Sequence, residues 1–366
     1  MKLMRYSYFL LSFVPLVLGI SCAPYALDPS VTEKLDGLFS DYSKPASPGG
    51  SVAVLVDGKT VFSKSYGLAD VANSIPATPK TNYRLASVTK QFTATAILQL
   101  VDRGKLSLDA RLTDVLPGAP AYTRDMRIRH LLTHTSGLVD YEDLIPGSQT
   151  VQVLDRDVLR LLSTTDSVYF RPGESYKYSN SGYALLALVV EALSGQSFAA
   201  FLKQNIFDPL GMDHTVAFEN GISYVENRAF GHSRSETGFI QTDQSVTSAV
   251  LGDGGIYSSV EDLRRWDREL VENRLISREL RQQSFTPAVL NNGTRTKYGF
   301  GWNIEPYKNE FSVFHTGSTR GFRNAILRFP DRKFTIVILT NRNEGEPLEI
   351  AKKIADLLLV RPPEHS

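Results

Sequence analysis

Two residues of the chain, Ser87 and Lys90, have types and a spacing that suit acyl-transfer chemistry. They stand in the segment Ser87-Val-Thr-Lys90, at the start of an apolar stretch that is predicted to be helical. Residues three apart on a helix share one face, so the hydroxyl and the amine are expected within hydrogen-bonding reach. A desolvated lysine loses part of its preference for the charged form and can take the proton of a serine nucleophile. The spacing alone also arises by chance, because serine is a common residue.

Two further polar segments follow in the chain, and each adjoins a predicted element. One lies in a loop just before the second apolar helix, and the other ends a strand of the late β segment. They are Tyr178-Ser179-Asn180 and His315-Thr316-Gly317-Ser318. Each has a structural alternative: a turn tyrosine followed by a helix cap for the first, and ordinary strand residues for the second.

The three segments together, in this order, resemble the serine penicillin-recognising superfamily. The match is to the branch that holds class C β-lactamases, soluble DD-carboxypeptidases and β-lactamase-like esterases. The resemblance runs from about residue 35 to residue 359. Flanking segments are also similar to that branch, at residues 128–138, 208–212, 254–258 and 298–302.

The resemblance implies a role for each residue of the catalytic set. Ser87 attacks a carbonyl carbon and becomes acylated, while Lys90 and Tyr178 move protons to and from Ser87 and the leaving group. The backbone N–H groups of Ser87 and Ser318 form the oxyanion hole. Gly317 leaves room for the close approach of that strand.

The resemblance also implies a substrate-binding set. Asn180 holds the amide or ester side of the substrate, and Thr316 and His315 contact its carboxylate or leaving group. Class C β-lactamases usually have lysine where this chain has His315, and an imidazole supplies weaker positive charge at pH 7. We therefore expect a hydrolase of DD-carboxypeptidase type. An esterase or weak β-lactamase is the alternative, and a non-catalytic binding protein on the same fold is a second one.

The apolar pattern divides the chain into a β segment, a helical block and a second β segment. Residues 51–66 are predicted to form two strands joined at Asp57-Gly58, a dipeptide typical of hairpin turns. Helices are predicted over 92–101 and 182–193, each followed by a glycine that can end it. Strands are expected over 299–304, 311–315, 322–329 and 334–340, and a closing helix over 347–360.

This order predicts an α/β (α+β) fold of β-lactamase/DD-peptidase type, with an antiparallel sheet flanked by helices and an inserted all-helical domain. We expect the sheet domain to comprise residues 30–85 and 266–360, the mainly helical domain residues 86–265, and Ser87 to lie at their junction.

The N-terminus predicts export. Lys2 and Arg5 precede a twelve-residue apolar run, Phe9 to Ile20, which is typical of a signal peptide over residues 1–23. Cys22, the single cysteine of the chain, follows a segment that loosely resembles a lipoprotein signal over residues 1–21. We therefore expect a periplasmic or extracellular protein. Its only membrane contact would be a lipid on Cys22.

The composition limits the classes of binding partner. Forty Lys and Arg balance thirty-nine Asp and Glu among 366 residues, so the chain has no strong net positive charge to attract nucleic acid. One cysteine excludes an internal disulfide framework and a Cys-based metal cluster. We expect a small-molecule or peptide substrate, no nucleic acid, no cofactor and no metal.

Three other features have a functional and a structural interpretation. His130 and His134 would face one metal ion if they shared a helix, but no third ligand is evident. Arg320 and Arg323 could clamp a carboxylate, but solvated strand arginines are the favoured interpretation. The run 252–255, Gly-Asp-Gly-Gly, resembles a phosphate loop but lacks the Lys-Ser/Thr that should follow, so a turn is expected.

Overall fold

The computed structural model describes residues 27–359 of the chain. The predicted signal peptide and Cys22 lie outside these residues. The described helices are α1 Pro29–Gly37, α2 Lys90–Asp102, α3 Leu112–Val115, α4 Ile128–Leu132, α5 Asp155–Leu162, α6 Asn180–Ser194, α7 Phe198–Leu202, α8 Asp208–Leu210, α9 Leu251–Gly254, α10 Val260–Glu272, α11 Arg278–Ser284 and α12 Pro347–Leu358. Short 3₁₀ turns also occur, among them Ala86–Thr89 and Tyr141–Leu144.

The strands form one large sheet and three small ones. They are β1 Gly50–Val56, β2 Lys59–Tyr66, β3 Leu68–Asp70, β4 Ile75–Pro76, β5 Tyr83–Arg84, β6 Val216–Ala217, β7 His232–Ser235, β8 Gly238–Gln241, β9 Ile256–Ser258, β10 Asn303–Ile304, β11 Val313–Thr319, β12 Phe322–Phe329 and β13 Phe334–Thr340. The large sheet has the order β10-β11-β12-β13-β1-β2, and its neighbouring strands are antiparallel. Both ends of the chain therefore contribute to one sheet.

The large sheet buries both of its faces because successive side chains of a strand point to opposite sides. In β1, Val52 and Val54 belong to a core shared with α1 and α12. Ala53 and Leu55 belong to the main core with the helical block. This explains why β1 is apolar at almost every position, and the predicted hairpin with β2 is confirmed.

The two long apolar helices are also confirmed. α2 ends just before Gly104, and α6 ends at Gly195, and both glycines have positive φ angles, of 67° and 71°. Their middle residues are buried on nearly every side, as their apolar sequences predict. The closing helix ends at Leu358, two residues earlier than expected.

The inserted block is not all helical. It contains β6, the β7–β8 hairpin and β9, and β9 pairs with β5 outside the block. Each of these strands has two to four residues, too few for an alternating pattern to be recognised. β9 pairs with β5 and with β6, both of which are short and distant from it in the sequence. Tertiary contacts therefore decide the conformation of these strands.

β11 extends farther than the sequence predicts, through the whole segment from His315 to Thr319. β10 pairs only with Val313 and Phe314, so the second half of β11 pairs with β12 alone within the described sheet. Its free edge lies against the 3₁₀ turn Ala86–Thr89. The approach is so close that a Cβ atom on Gly317 would stand 2.0 Å from the Leu85 carbonyl oxygen.

Within residues 27–359 no single helix is long and apolar enough to cross a membrane. One pair, Asn180–Ser194 with Phe198–Leu210, meets the criteria of length and composition jointly, with a bend of 78°.

Candidate functional site

A small cleft lies where the 3₁₀ turn of Ser87, the start of α6, α9 and the free edge of β11 meet. Three of the predicted site residues line it: Ser87, Asn180 and Ser318. Larger cavities occur elsewhere on the surface, but they do not contain these residues. We therefore locate the candidate site by its chemistry rather than by its size.

Ser87 and Lys90 are brought together by a tighter turn than the predicted α-helix. Residues 86–89 form a 3₁₀ turn, and α2 begins at Lys90. Side chains at i and i+3 eclipse in a 3₁₀ turn. Lys90 Nζ lies 3.2 Å from Ser87 Oγ. Ala86, just before the serine, has a φ of 49°, a left-handed conformation that is unfavourable for a residue with a side chain.

Lys90 is completely buried, and its amine has two other partners. Nζ donates to Asn180 Oδ1 at 2.8 Å and to the Asp253 carbonyl oxygen at 2.9 Å. Neither oxygen can donate, so both bonds require N–H groups of Lys90. A neutral amine has two N–H groups and one lone pair, and the lone pair is then left for the Ser87 hydroxyl. The geometry suits proton transfer from Ser87 Oγ to Lys90 Nζ.

Burial is the main influence on the charge of Lys90. Desolvation lowers its pKa, whereas the carboxylates of Asp253, Asp140 and Glu142 act in the opposite direction, and burial prevails. The same desolvation raises the pKa of Asp253, and Lys90 partly offsets that rise. A buried ammonium is thus brought closer to its neutral form, which a general base needs.

Tyr178 stands beside this pair as a neutral phenol. Its ring lies 4.9 Å from Lys90 Nζ, measured to the ring centroid. Its hydroxyl is buried and faces the Ser87 hydroxyl. Burial raises the pKa of Tyr178, and the nearby Ser87 hydroxyl partly offsets the rise. The residue therefore keeps its proton at neutral pH, as the predicted proton donor to a leaving group must.

His315 is buried behind the cleft rather than exposed in it. Its Nδ1 lies 2.7 Å from the Thr316 carbonyl oxygen, which only accepts, so Nδ1 carries the proton. Nε2 then accepts from the Tyr298 hydroxyl at 2.9 Å. Burial, and to a lesser degree the charge of Lys90, lowers the pKa of His315 to about 3. The predicted contact of this side chain with substrate stays a prediction, and the imidazole is neutral.

The remaining residues of that segment alternate along β11. Thr316 and Ser318 are exposed, whereas His315 and Gly317 are buried. Thr316 and Ser318 therefore present their hydroxyl groups on one face of the strand, and Ser318 lines the cleft. The backbone of Ser318 is on the free edge, where the predicted oxyanion donor must lie.

Asn180 is held from both sides at the first residue of α6. Its backbone N–H donates to Asp140 Oδ2 at 2.8 Å, and its side-chain Nδ2 donates to Glu142 Oε1 at 3.3 Å. Its Oδ1 is thereby turned to Lys90. Asn180 thus contacts the general base directly, and its predicted contact with substrate stays a prediction.

Sequence reasoning missed an acidic set around Lys90: Asp140, Glu142 and Asp253. The Asp253 carbonyl oxygen accepts from Lys90 Nζ, and the Asp253 carboxylate accepts from the Tyr141 hydroxyl at 2.9 Å. One signal was available, because Asp253 is a single acid inside a long apolar and glycine-rich segment. A charged residue in such surroundings needs a buried partner. Nothing in the sequence pairs Asp140 or Glu142 with Lys90.

The other candidates have structural places. α4 ends at Leu132, so His134 lies beyond it and does not share a helix face with His130. Arg323 donates to the carbonyl oxygens of Thr319 and Phe322, at 3.0 and 2.9 Å. The run 252–255 is buried and forms the end of α9. No group of three or more metal-ligating residues is placed to hold an ion anywhere in residues 27–359.

Known proteins resemble this chain along most of its length. A family model described as Beta-lactamase matches residues 35–361. Penicillin-binding protein 4* of Bacillus subtilis (strain 168) is 33% identical over 333 residues, which cover 87% of this chain and 73% of that protein. D-aminopeptidase of Gluconobacter oxydans (strain 621H) is 29% identical over 317 residues, or 85% of this chain and 59% of that protein.

A solved structure shows the same architecture. The octameric penicillin-binding protein homologue from Pyrococcus abyssi superimposes with a TM-score of 0.78 and 27% sequence identity. The superposition covers 92% of this chain and 78% of that one. The chain is thus similar to these proteins in fold as well as in sequence, although it spans less than two thirds of the D-aminopeptidase.

The carboxylate of Asp253 makes a testable contribution to the pH dependence of Ser87. Its negative charge raises the pKa of Lys90, so Asp253→Asn should lower that pKa further. Reaction at Ser87 needs neutral Lys90 and therefore rises with pH through the Lys90 pKa. We expect the rise to move to lower pH in the variant, measured as the rate of fluorophosphonate labelling between pH 5 and pH 10.

Asp143→Asn is the matched control, because Asp143 lies on the 3₁₀ turn Tyr141–Leu144 near the site, and its carboxylate accepts from the Tyr169 hydroxyl rather than from a partner of Lys90. It should leave the profile unchanged. A profile for Asp253→Asn that coincides with the control, or that moves to higher pH, contradicts the assignment of Lys90 as the base.

Proposed function

Because the chain belongs to the Beta-lactamase family, we propose that this serine hydrolase forms an acyl-enzyme on Ser87 and cleaves amide bonds next to D-amino acids. D-Ala-D-Ala peptides are the first substrate class, as for a DD-carboxypeptidase. The observation that carries the proposal is the amine of Lys90, held by two acceptors with its third position on Ser87 Oγ at 3.2 Å.

Acylation follows from this arrangement. Ser87 Oγ forms a bond to the substrate carbonyl carbon while its proton passes to Lys90 Nζ. The carbonyl oxygen gains negative charge, which backbone N–H groups of Ser87 and Ser318 stabilise. The C–N bond then breaks, and the leaving amine takes a proton from the Tyr178 hydroxyl. The protonated Lys90 then gives its extra proton to Tyr178. Each group ends this step in the protonation state in which it began.

Deacylation uses the same groups in reverse. A water oxygen attacks the ester carbonyl carbon and gives its proton to the Lys90–Tyr178 pair, and Ser87 Oγ leaves and takes a proton back. The acid product and the free enzyme result. No cofactor enters either step.

Three observations support D-residue amides over β-lactams. The neutral, buried His315 provides no positive charge for a β-lactam carboxylate. The exposed hydroxyls of Thr316 and Ser318 offer neutral donors to a peptide carboxylate. The relatives are named as a penicillin-binding protein and a D-aminopeptidase. A small-ester hydrolase is the alternative, since the same nucleophile accepts several acyl donors.

A parallel assay tests the substrate class. N-acetylated D-Ala-D-Ala peptide, p-nitrophenyl acetate and nitrocefin are compared as substrates for the native protein, Ser87→Ala and Tyr178→Phe. We expect peptide hydrolysis, slow nitrocefin turnover and no covalent adduct on Ser87→Ala. Tyr178→Phe should lower kcat by about 10²–10⁴-fold, as loss of a general acid does.

Ester hydrolysis without peptide hydrolysis would replace the carboxypeptidase assignment by the esterase one. Intact mass after incubation with a fluorophosphonate and with penicillin addresses the nucleophile itself. An unlabelled native protein would support the non-catalytic binding alternative and reject Ser87 as a nucleophile.

The carboxylate of Glu142 in the cleft favours a second candidate substrate class, one with a free ammonium group. Glu142 lines the cleft beside Ser87 and Asn180, and its Oε1 accepts from Asn180. A carboxylate at this point suits a substrate with a free ammonium group, such as a D-amino acid amide. It does not suit the carboxylate of a D-Ala-D-Ala terminus.

Glu142→Gln separates the two classes. If an ammonium binds there, kcat/KM for D-alanine p-nitroanilide should fall about 10–100-fold, the value of a charged hydrogen bond. The N-acetyl form of the same anilide should be unaffected, and Asp143→Asn serves as the control. Equal effects on both anilides would assign Glu142 to holding Asn180 and not to selecting the substrate.

Export is part of the proposal and is supported by the N-terminal charge and apolar run. Cleavage after residue 23 leaves a free protein, whereas lipidation would anchor Cys22. The mass of the mature N-terminus, with and without globomycin during growth, distinguishes them. If the protein is found in the cytoplasm with its N-terminal residues 1–23 still attached, export is contradicted.

A further inference from the structure

His134 contacts both backbone flanks of Tyr178 and the face of its ring. The Lys177 N–H donates to the His134 carbonyl oxygen at 3.0 Å. The Ser179 N–H donates to His134 Nδ1 at 3.2 Å. The two rings lie 4.2 Å apart between centroids, with an angle of 33° between their planes. One residue thus bonds to the positions before and after the tyrosine and packs on the tyrosine itself.

The backbone at His134 makes these contacts possible. α4 ends at Leu132, and His134 has a φ of 56°, in the left-handed region. This turn directs its carbonyl and its ring to the same neighbouring segment. Among residues other than glycine, Asn, Asp and His adopt this conformation most readily. A bulky apolar residue would meet strain there.

His134 is buried and neutral. Because Nδ1 accepts from a backbone N–H, the single proton of the neutral ring is on Nε2. Burial lowers the pKa of His134 far below its usual value, and the charge of Lys90 lowers it further. Protonation of Nδ1 would remove the acceptor for Ser179. The imidazole therefore stays a fixed acceptor rather than a proton carrier.

The other polar neighbours of Tyr178 are the two groups with which it exchanges protons in the proposed mechanism. Its hydroxyl interacts with that of Ser87, and its ring centroid lies 4.9 Å from Lys90 Nζ. The other ring neighbours are more distant than His134, with centroids of Tyr298 and His315 each 6.3 Å away. His134 is thus the residue that contacts both the backbone and the ring face of Tyr178.

We infer that His134 is a positioning residue for Tyr178, which it holds within reach of Ser87 through two backbone hydrogen bonds and ring packing. This inference rests on the proposed function, in which Tyr178 handles protons. It adds a residue that the catalytic segments do not contain. A displacement of a catalytic group by about 1 Å can cost about 10²-fold in rate.

The test uses two substitutions that separate the contacts. His134→Phe keeps a ring but has no acceptor for Ser179. His134→Asn keeps an acceptor near the position of Nδ1 and tolerates the left-handed backbone, but it loses the ring. Each is made alone and together with Tyr178→Phe. His130→Asn is the control, because His130 Nδ1 accepts from the Arg127 N–H and no hydrogen bond described within residues 27–359 joins its side chain to a site residue.

Hydrolysis of the N-acetylated D-Ala-D-Ala peptide gives kcat and KM, and its amine leaving group needs the proton of Tyr178. We expect His134→Phe to lower kcat about 10–100-fold with KM unchanged. His134→Asn should recover to within about tenfold of the native kcat. In the Tyr178→Phe background, the substitutions of His134 should lower kcat less than about threefold further, because coupled residues do not add.

Thermal unfolding of each variant accompanies the kinetics. If His134→Phe does not fold, His134→Asn alone tests the inference. It should show a loss of rate on its own and little further loss when combined with Tyr178→Phe. Native kcat in His134→Phe, or a full additional loss for either variant in the Tyr178→Phe background, overturns the inference. A native protein that does not hydrolyse the peptide instead rejects the proposed function.

Discussion

The burial of one ammonium group, that of Lys90, is the constraint on which the site depends. A buried cation is costly unless it is hydrogen-bonded and paired. Here its three acceptors come from three places: the preceding 3₁₀ turn, the first residue of α6 and a carbonyl of α9. Those elements must meet at one point for the chain to fold. The same contacts leave the lone pair of the neutral amine facing Ser87.

The second requirement is that a strand edge approaches this point. β11 can lie against the Ser87 turn only because Gly317 has no side chain. Asn324 of the next strand fixes the approach, since its Nδ2 donates to the Arg84 carbonyl oxygen at 2.8 Å. The large sheet and the helical block are thereby joined at the residues that precede the nucleophile. The same contacts therefore stabilise the junction and set the geometry of the cleft.

Neutral aromatic groups lie close to Lys90 in addition to its three carboxylates. Burial keeps the rings of His134 and His315 unprotonated and Tyr178 in its phenol form. A site of this kind moves protons between weak acids and bases in a low-dielectric region, where each hydrogen bond counts for more than in water. Selection between substrates then rests on the few polar groups at the cleft surface, chiefly Glu142 and the hydroxyls of β11.

The sequence by itself determined the local features: the hairpin at Asp57-Gly58, the ends of α2 and α6, and the order of the three catalytic segments. These depend on residue type and on periods of two or about four residues. The tertiary structure alone decided that Lys90 bonds to Asn180 and Asp253, which lie 90 and 163 positions along the chain from it. It also decided that His134 packs against Tyr178. It also decided the protonation states, because a pKa is set by burial and by neighbours that no local pattern records.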